Sequence, residues 1–382
     1  MVRVLGVDPG TRSFDLALVE DGRVEWEASV DTALVARSPE ALLEAIREAG
    51  SVDAVAAPSG YGVPVTPSGD VVDARRLAVE VLLLSTWGEI EEGVRRGVVG
   101  AMVYAALARV VEALASGGGP RSIFIPAVIH LPTLRPGAKY NRVDLGTADK
   151  LSVALLASYL EGGRGRFMVL ELGFGYNALM VVEDGRVTWA LGGTSLGPGF
   201  ITAGPLDLEV VAMGGGWGRL DVFHGGVMEA CGASTPEEAL ERARSSSRGL
   251  CAEAYNAMLD SIATAVAAVH TRFGVSRLLV SGRYSASPAL LGDLRERLPG
   301  GVEVERLGLL EGASRSKHAA QGYALVVEGL LGGRASRAVE RMAIPQACGT
   351  ALDYVAHPRL AQARERVRRA YLESVRSPRL CS

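Results

Sequence analysis

Two short turns carry the residue types that phosphate chemistry needs. In Asp8-Pro9-Gly10-Thr11-Arg12 an acid stands two residues before a glycine, and Glu171-Leu172-Gly173-Phe174-Gly175 repeats that order. Glycine accepts positive φ and has no side chain, so backbone N–H groups beside it can come close to a ligand. Two such turns facing each other across a cleft would hold a polyphosphate between them. A further acid, Asp149, follows Gly146-Thr147-Ala148 and precedes Lys150. It has two readings. As a first-turn acid behind a Thr147 N-cap it complements a helix dipole; at a cleft it is a base or charge partner. Upstream of it, the Pro/Gly-rich loop Pro132 to Arg142 is preceded by His130 and ends in Lys139, Tyr140, Asn141 and Arg142. That loop is either solvated or a binding segment beside a strand end.

The elements that position these residues come from a stretch used twice. Val19-Glu20-Asp21-Gly22-Arg23-Val24 recurs without a gap as Val182-Glu183-Asp184-Gly185-Arg186-Val187, an offset of 163. At that offset Asp8 falls on Glu171 and Gly10 on Gly173. Each copy reads as an apolar strand ending at an acid, a glycine turn, a second apolar strand and an Asp-Gly turn into a third. Two related half-molecules are the simplest account.

Between the copies, Pro39 to Ala49 has helical spacing at Leu42, Leu43 and Ile46, and Val52 to Ala57 is a short buried strand ending in Pro58-Ser59-Gly60-Tyr61-Gly62. Asp73 to Ala115 reads as two helices broken near Gly93 to Gly100, and Arg121 to Ile129 as a strand. A helix opening at Asp144 to Lys150 runs to about Tyr159. After the second copy come two glycine-rich loops, Gly192 to Gly199 and Gly214 to Gly218, which line a phosphate site or merely connect elements. Helices are expected from Pro236 to Ala243 and Cys251 to Phe273, the latter with a core stripe of Ala254, Met258, Ile262, Val266 and Val269. Arg277 to Ser281 is a strand, followed by Gly282-Arg283 and a helix that Pro288 begins.

Bulk properties narrow the function classes. The 382 residues suit two domains, with 48% hydrophobic and 22% charged residues describing a globular protein. A net charge of −3 supplies no basic footprint for nucleic acid. No secretory signal and no membrane-spanning run are evident, so the cytoplasm is the expected location, with neither membrane nor nucleic acid as a partner. Cys231, Cys251, Cys348 and Cys381 lack C-x-x-C spacing, and reduced thiols are expected. Lysine occurs only at positions 139, 150 and 317 in an arginine-rich chain. No G-x-x-x-x-G-K-[ST] P-loop is present. Gly173 to Ala178 matches G-x-G-x-x-A, but a strand follows where the dinucleotide fingerprint requires a helix.

The Asp8 hairpin, the Glu171 hairpin and the unit Val280-Ser281-Gly282-Arg283 before Pro288 resemble the phosphate-1, phosphate-2 and adenosine motifs of the acetate/sugar kinase, Hsc70 and actin superfamily. The resemblance implies an α/β, duplicated ribonuclease H-like (actin-like ATPase) fold, two lobes with an interlobe nucleotide cleft. The lobes would be residues 1–163 and 164–334, hinged near Gly162 to Gly165, with a helical extension over 335–382. Within the superfamily, Ile129-His130-Leu131-Pro132-Thr133, Gly146-Thr147-Ala148-Asp149 and the stretch from Glu171 to Asp207 are similar to segments of acetate and butyrate kinases, and of an archaeal family described as predicted butyrate kinases.

That similarity implies an ATP-dependent kinase making an acyl phosphate from a short-chain carboxylate such as butyrate, and a homodimer like the acetate kinases. Asp8 and Glu171 would organise Mg2+. Gly10, Thr11, Arg12, Gly173, Phe174 and Gly175 would hold ATP phosphates, and Gly282 and Arg283 the nucleoside. Arg142, Lys150 or Arg12 would offset charge at the transferring group, while Asp149 would orient or deprotonate a hydroxyl acceptor. The sequence departs from the carboxylate kinases where they carry arginines, at Pro58-Ser59-Gly60 and Thr202-Ala203-Gly204, and at Pro126, where they carry an Asp. An ATP-binding switch or ATPase acting on a protein partner is the alternative expectation, with Ala335 to Ser382 as the docking arm.

Overall fold

The computed structural model describes residues 1–116, 120–135, 137–246, 248–315 and 317–381. Pro136 of the Pro/Gly-rich loop and Ser382 of the tail lie outside them. The chain divides into two compact units, residues 1–165, 182–189 and 308–382 in the first and 166–181 and 190–307 in the second.

In the first unit β1 (Arg3–Pro9), β2 (Ser13–Glu20) and β3 (Arg23–Asp31) form an antiparallel meander. β4 (Ala54–Ala56), β5 (Thr66–Pro67) and β6 (Ser122–Phe124) extend it into a six-stranded sheet of order β3-β2-β1-β4-β6-β5, with β1, β4 and β6 parallel. Val4, Leu5 and Val7 of β1 and Leu16, Ala17 and Val19 of β2 are fully buried, so both faces of this hairpin are covered. The meander register sets Asp8 directly opposite Asp15 across β1 and β2.

The second sheet joins β7 (Arg166–Leu172), β8 (Asn177–Glu183), β9 (Arg186–Gly192), β10 (Arg277–Ser281) and β11 (Glu303–Arg306) in the order β11-β10-β7-β8-β9. β7, β10 and β11 are parallel. From the meander outward the two sheets have the same plan, so the repeat in the sequence is a repeat of topology. The Asp-Gly turns match in detail. Asp21 and Gly22 have φ of 49° and 76°, and Asp184 and Gly185 of 47° and 79°, the double positive φ of a type I′ hairpin turn.

One helix fixes the first unit. Every residue from His318 to Gly329 of the helix His318–Leu330 is buried. It lies against β1, β2 and the helix Ala148–Leu160. Small residues allow this approach. A Cβ on Gly6 would fall inside 3.0 Å of the Ala320 carbonyl oxygen and the Ala324 nitrogen, and one on Gly322 inside 3.0 Å of the Ser152 carbonyl. Residues 308–334, expected in the second lobe, therefore belong with the first unit, and so does the 335–382 segment. That segment is anchored by a Val71–Val375 bridge and by the Arg376 N–H donating to the Asp70 carbonyl at 2.8 Å.

Other expectations are refined. Asp73 to Ala115 holds three helical pieces rather than two: Ala74–Arg76 continuing into a π-helical turn Leu77–Leu82, then Trp87–Arg95 and Val99–Ala115. The Leu82 carbonyl at the end of the π turn accepts the Tyr61 N–H at 2.9 Å. The β6 strand stops at Phe124, and Val128–His130 is a 3-10 turn instead of more strand. The cysteines are not reduced. Cys231 is bonded to Cys251 and Cys348 to Cys381, 20 and 33 residues apart, partners that only the tertiary fold brings together. Among the described residues no helix is long and apolar enough to cross a membrane.

Candidate functional site

The opposition of Asp8 and Asp15 is unfavourable on its own, because like charges facing each other across a strand pair repel. Both are nearly excluded from solvent, at 3% and 4% exposure. Lys317, at the start of the helix His318–Leu330, answers them. Its Nζ lies 2.6 Å from Asp15 Oδ2, 3.5 Å from Asp8 Oδ2 and donates to the Ser13 carbonyl at 3.1 Å. The Ser13 hydroxyl donates to Asp15 Oδ2 at 2.9 Å. The ammonium also lies against Gly10, where any Cβ would collide with it. The turn glycine leaves room for that ammonium, and a Cβ there would also fall 2.6 Å from the Ser13 carbonyl oxygen, a backbone atom that cannot rotate away.

A second acid–lysine pair stands beside the first. Thr147 holds the N-cap position of the helix Ala148–Leu160 as expected, but its hydroxyl makes no cap bond and donates to Asp149 Oδ1 at 2.5 Å. Lys150 Nζ donates to Asp149 Oδ2 at 2.5 Å. Burial works to raise the Asp149 carboxyl, but the Lys150 ammonium and the bonds from Lys150 and Thr147 outweigh it and hold it below the usual carboxylate range. Asp149 is therefore held ionised. Asp8 has the opposite environment. Burial pushes it up to about 7; Lys317 pulls it down, Asp149 and Asp15 push it up, and Lys150 pulls it down.

The turn after β4 completes this end of the sheet. Gly60, at φ 50°, accepts the Ala148 N–H on its carbonyl at 2.9 Å, which fixes the start of the Asp149 helix. The Ser59 N–H donates to the Tyr323 hydroxyl at 3.4 Å. Burial, with Asp149 and Asp8 nearby, raises that phenol well above its ordinary value. Behind the turn, His130 is 1% exposed and its Nδ1 lies 3.2 Å from the Ala127 backbone nitrogen. The same Nδ1 lies 3.3 Å from the Ala127 carbonyl oxygen, and the ring tautomer decides which of the two it engages. Burial pushes the imidazole down to about 4, so it is neutral.

Of the cations expected to serve the transferring group, Lys150 is in the cluster and bound to Asp149, whereas Arg142 and Arg12 are exposed, as is Thr11 of the phosphate turn. The cation paired with Asp8 is Lys317, which the sequence motifs did not single out. Lys139 is directed to the Tyr354 hydroxyl, 3.0 Å away, and burial pushes it down to about 8. Asp15 and Tyr323 were also missed. The one signal in the sequence was the scarcity of lysine, since two of the three lysines enter this cluster.

In the second unit the motif residues gather at the carboxyl ends of β7 and β10. Parallel pairing sets Glu171 beside Ser281. Gly282, at φ 85°, lies so close that a Cβ there would meet Glu171 Oε1 at 2.8 Å. Gly173 and Phe174 are half-buried in the β7–β8 turn, and the Gly175 carbonyl accepts the N–H groups of Ile201 and Thr202. Arg283 begins a 3-10 turn. No group of three metal-ligating side chains exists among the described residues. Asp8 in the first unit and Glu171 in the second each offer one carboxylate, and Mg2+ carried in on phosphates keeps its waters and takes only one or two carboxylates, so either acid alone is enough for it.

Among solved structures, a propionate kinase from Francisella tularensis subsp. tularensis SCHU S4 is 12% identical with a TM-score of 0.54, over 85% of this chain and 98% of that one. An acetate kinase from Entamoeba histolytica is 13% identical with a TM-score of 0.48, over 78% and 85%. A ROK family glucokinase from Streptomyces griseus is 17% identical with a TM-score of 0.43, over 84% and 98%. At such identities the propionate kinase likeness establishes the fold alone, the duplicated actin-like ATPase fold. No curated protein matches the sequence. A family model described as "Protein of unknown function (DUF1464)" matches residues 6–357, and the chain belongs to that family.

Proposed function

We propose that the protein is a phosphotransferase that takes the γ-phosphoryl of Mg-ATP at the turn following β1. The observation that carries this reading is Asp8, a buried carboxylate held close to neutrality beside a glycine turn and two lysines. A group kept in so unfavourable a state breaks the local rules of stability, and such departures concentrate at functional sites. Mg2+ would be held by Asp8 and Glu171 through oxygen and water, and when bound it supplies positive charge at the phosphates. Gly10, Thr11 and Arg12 hold phosphate through backbone N–H groups, as do Gly173, Phe174 and Gly175; Gly282 and Arg283 flank the nucleoside.

Two acceptors are in play. A short-chain carboxylate such as butyrate, giving an acyl phosphate, is what the resemblance implies. It would approach three carboxylates offset by two ammonium groups, with no arginine in the Pro58 to Gly60 turn. Asp149, ionised and positioned by Thr147 and Lys150, favours a hydroxyl acceptor, whose proton it can take. An ATP-driven switch would use the same nucleotide residues without Asp149.

The test is calorimetric titration with ATP in the presence and absence of Mg2+. Binding should need the metal, and Asp8→Asn should weaken it at least tenfold. Equal binding by wild type and Asp8→Asn would remove the site from consideration.

A further inference from the structure

Lys317 has no place in the motif pattern, yet its surroundings are specific. It stands immediately before the thirteen-residue helix His318–Leu330, in the N-cap position. A cation there opposes the helix dipole, and it cannot accept the N–H groups that Ser, Thr or Asp would cap. The chain has exchanged a stabilising residue for a charge. Lysine is also the rarer cation in this chain, and here its compact ammonium is required, because Nζ sits where even the Cβ of an alanine at Gly10 would collide. A planar guanidinium is larger and more rigid.

The contacts are unequal. Asp15 Oδ2 is held at 2.6 Å and Asp8 Oδ2 only at 3.5 Å, and the lysine side chain keeps 20% exposure while the two acids keep 5%. Asp15 is therefore the anchor, and the ammonium faces Asp8 and the Gly10 turn loosely from an open side. Four rotatable bonds let Nζ leave Asp8 without moving the helix.

We propose that Lys317 is a catalytic residue that contacts the γ-phosphate of the bound nucleotide, held by Asp15 in the free protein and turned to the phosphate at the Gly10 turn when nucleotide enters. This rests on the phosphotransferase reading. In the transfer step the bond between the γ-phosphorus and the oxygen bridging to the β-phosphate breaks, a bond from phosphorus to the acceptor oxygen forms, and ADP leaves. Lys317 donates hydrogen bonds to a non-bridging γ-oxygen and transfers no proton. Asp15 is a positioning residue for it.

The experiment compares ADP with the non-hydrolysable analogue AMPPNP by calorimetry in the presence of Mg2+, for wild type and Lys317→Met. Wild type should prefer AMPPNP, and Lys317→Met should lose at least tenfold of that preference while ADP affinity changes less than threefold. Turnover, where an acceptor is known, should fall on the order of 100-fold in kcat, with KM for ATP rising in step with the loss of AMPPNP affinity, and Lys317→Arg should not restore it. Should Lys317→Met fail to fold with Asp8 and Asp15 left facing each other, Lys317→Met combined with Asp15→Asn removes one of those charges and repeats the comparison. Equal losses for both nucleotides, or no loss for either, would reduce Lys317 to a structural counter-ion and overturn the proposal. If wild type binds neither nucleotide, the phosphotransferase reading itself fails, and the proposal with it.

Discussion

Gly322→Ala should do opposite things to the helix it sits in and to the protein as a whole. Inside a helix this substitution ordinarily stabilises by roughly 0.4–1 kcal/mol, since alanine has fewer unfolded conformations to lose. At position 322, however, the new methyl would lie inside 3.0 Å of the carbonyl oxygen and carbon of Ser152, which are backbone atoms of the neighbouring helix and cannot rotate away. The helices must part by something on the order of an ångström, and overpacking of that kind costs about 1–3 kcal/mol or more. The net expectation is a loss of up to roughly 2.5 kcal/mol, once the propensity gain is subtracted. Gly88→Ala, in the helix Trp87–Arg95 of the same unit, is the control, because nothing lies within 4 Å of its would-be Cβ. It should be neutral or stabilising. Both are measured by urea denaturation of the disulfide-intact protein. The displaced helix also carries Lys317 and Tyr323, so Gly322→Ala should lower AMPPNP affinity and Gly88→Ala should not. If the two substitutions changed stability alike, the close approach of these helices would be wrong, and with it the placement of Lys317.

Three further outcomes follow from the same geometry. In the folded protein Asp8 keeps its proton up to about 7 against 3.8 when unfolded, so wild type loses stability as pH rises from about 4 to 7; Asp8→Asn does not titrate, and its advantage should grow across that window, level off above it and stay below a ceiling of about 4 kcal/mol. Denaturation at pH 4, 5.5 and 8 without nucleotide or metal checks this, and a pH-independent difference would contradict it. His130 has the reverse sign. Its imidazole is pushed down to about 4 from 6.5, so wild type should lose stability as pH falls through that interval, and His130→Gln should flatten that slope. Finally, Cys348→Ser opens a loop of 33 residues and should lower the stability of the oxidised protein by about 2–4 kcal/mol, read from urea midpoints under non-reducing conditions; an unchanged midpoint would mean the pair is not bonded in solution.

The duplicated meanders were legible because their signals are local. Alternating apolar runs and Asp-Gly turns report on neighbouring residues, and both turns have the backbone that their sequence demands. The acids Asp8 and Asp149 were legible for the same reason, each marking the end or start of an element. Asp15 was not, because its meaning depends on a register set across the Gly10 to Arg12 turn. Lys317 lies 309 residues from Asp8, and no local pattern connects them. The helix His318–Leu330 gave no stripe to read either, since it is buried all round and its apolar positions have no polar face to alternate with. That helix decides where 308–334 belongs. The expectation of reduced thiols failed for the reason that Lys317 was missed, as disulfide partners are chosen by tertiary contact. The Thr147 cap was right in position and wrong in chemistry, because Asp149 took its hydroxyl.

Phosphorus NMR of Mg-ATP with wild type and Asp8→Asn tests the central claim most directly. The samples would contain pooled short-chain carboxylates in one series and pooled polyols and sugars in another. The expected result is ADP together with one new resonance, from wild type only: a phosphate monoester if Asp149 acts on a hydroxyl, an acyl phosphate if the acceptor is a carboxylate. ATP consumed equally by Asp8→Asn, or left intact by wild type with every acceptor, would contradict the assignment of phosphoryl transfer to this site.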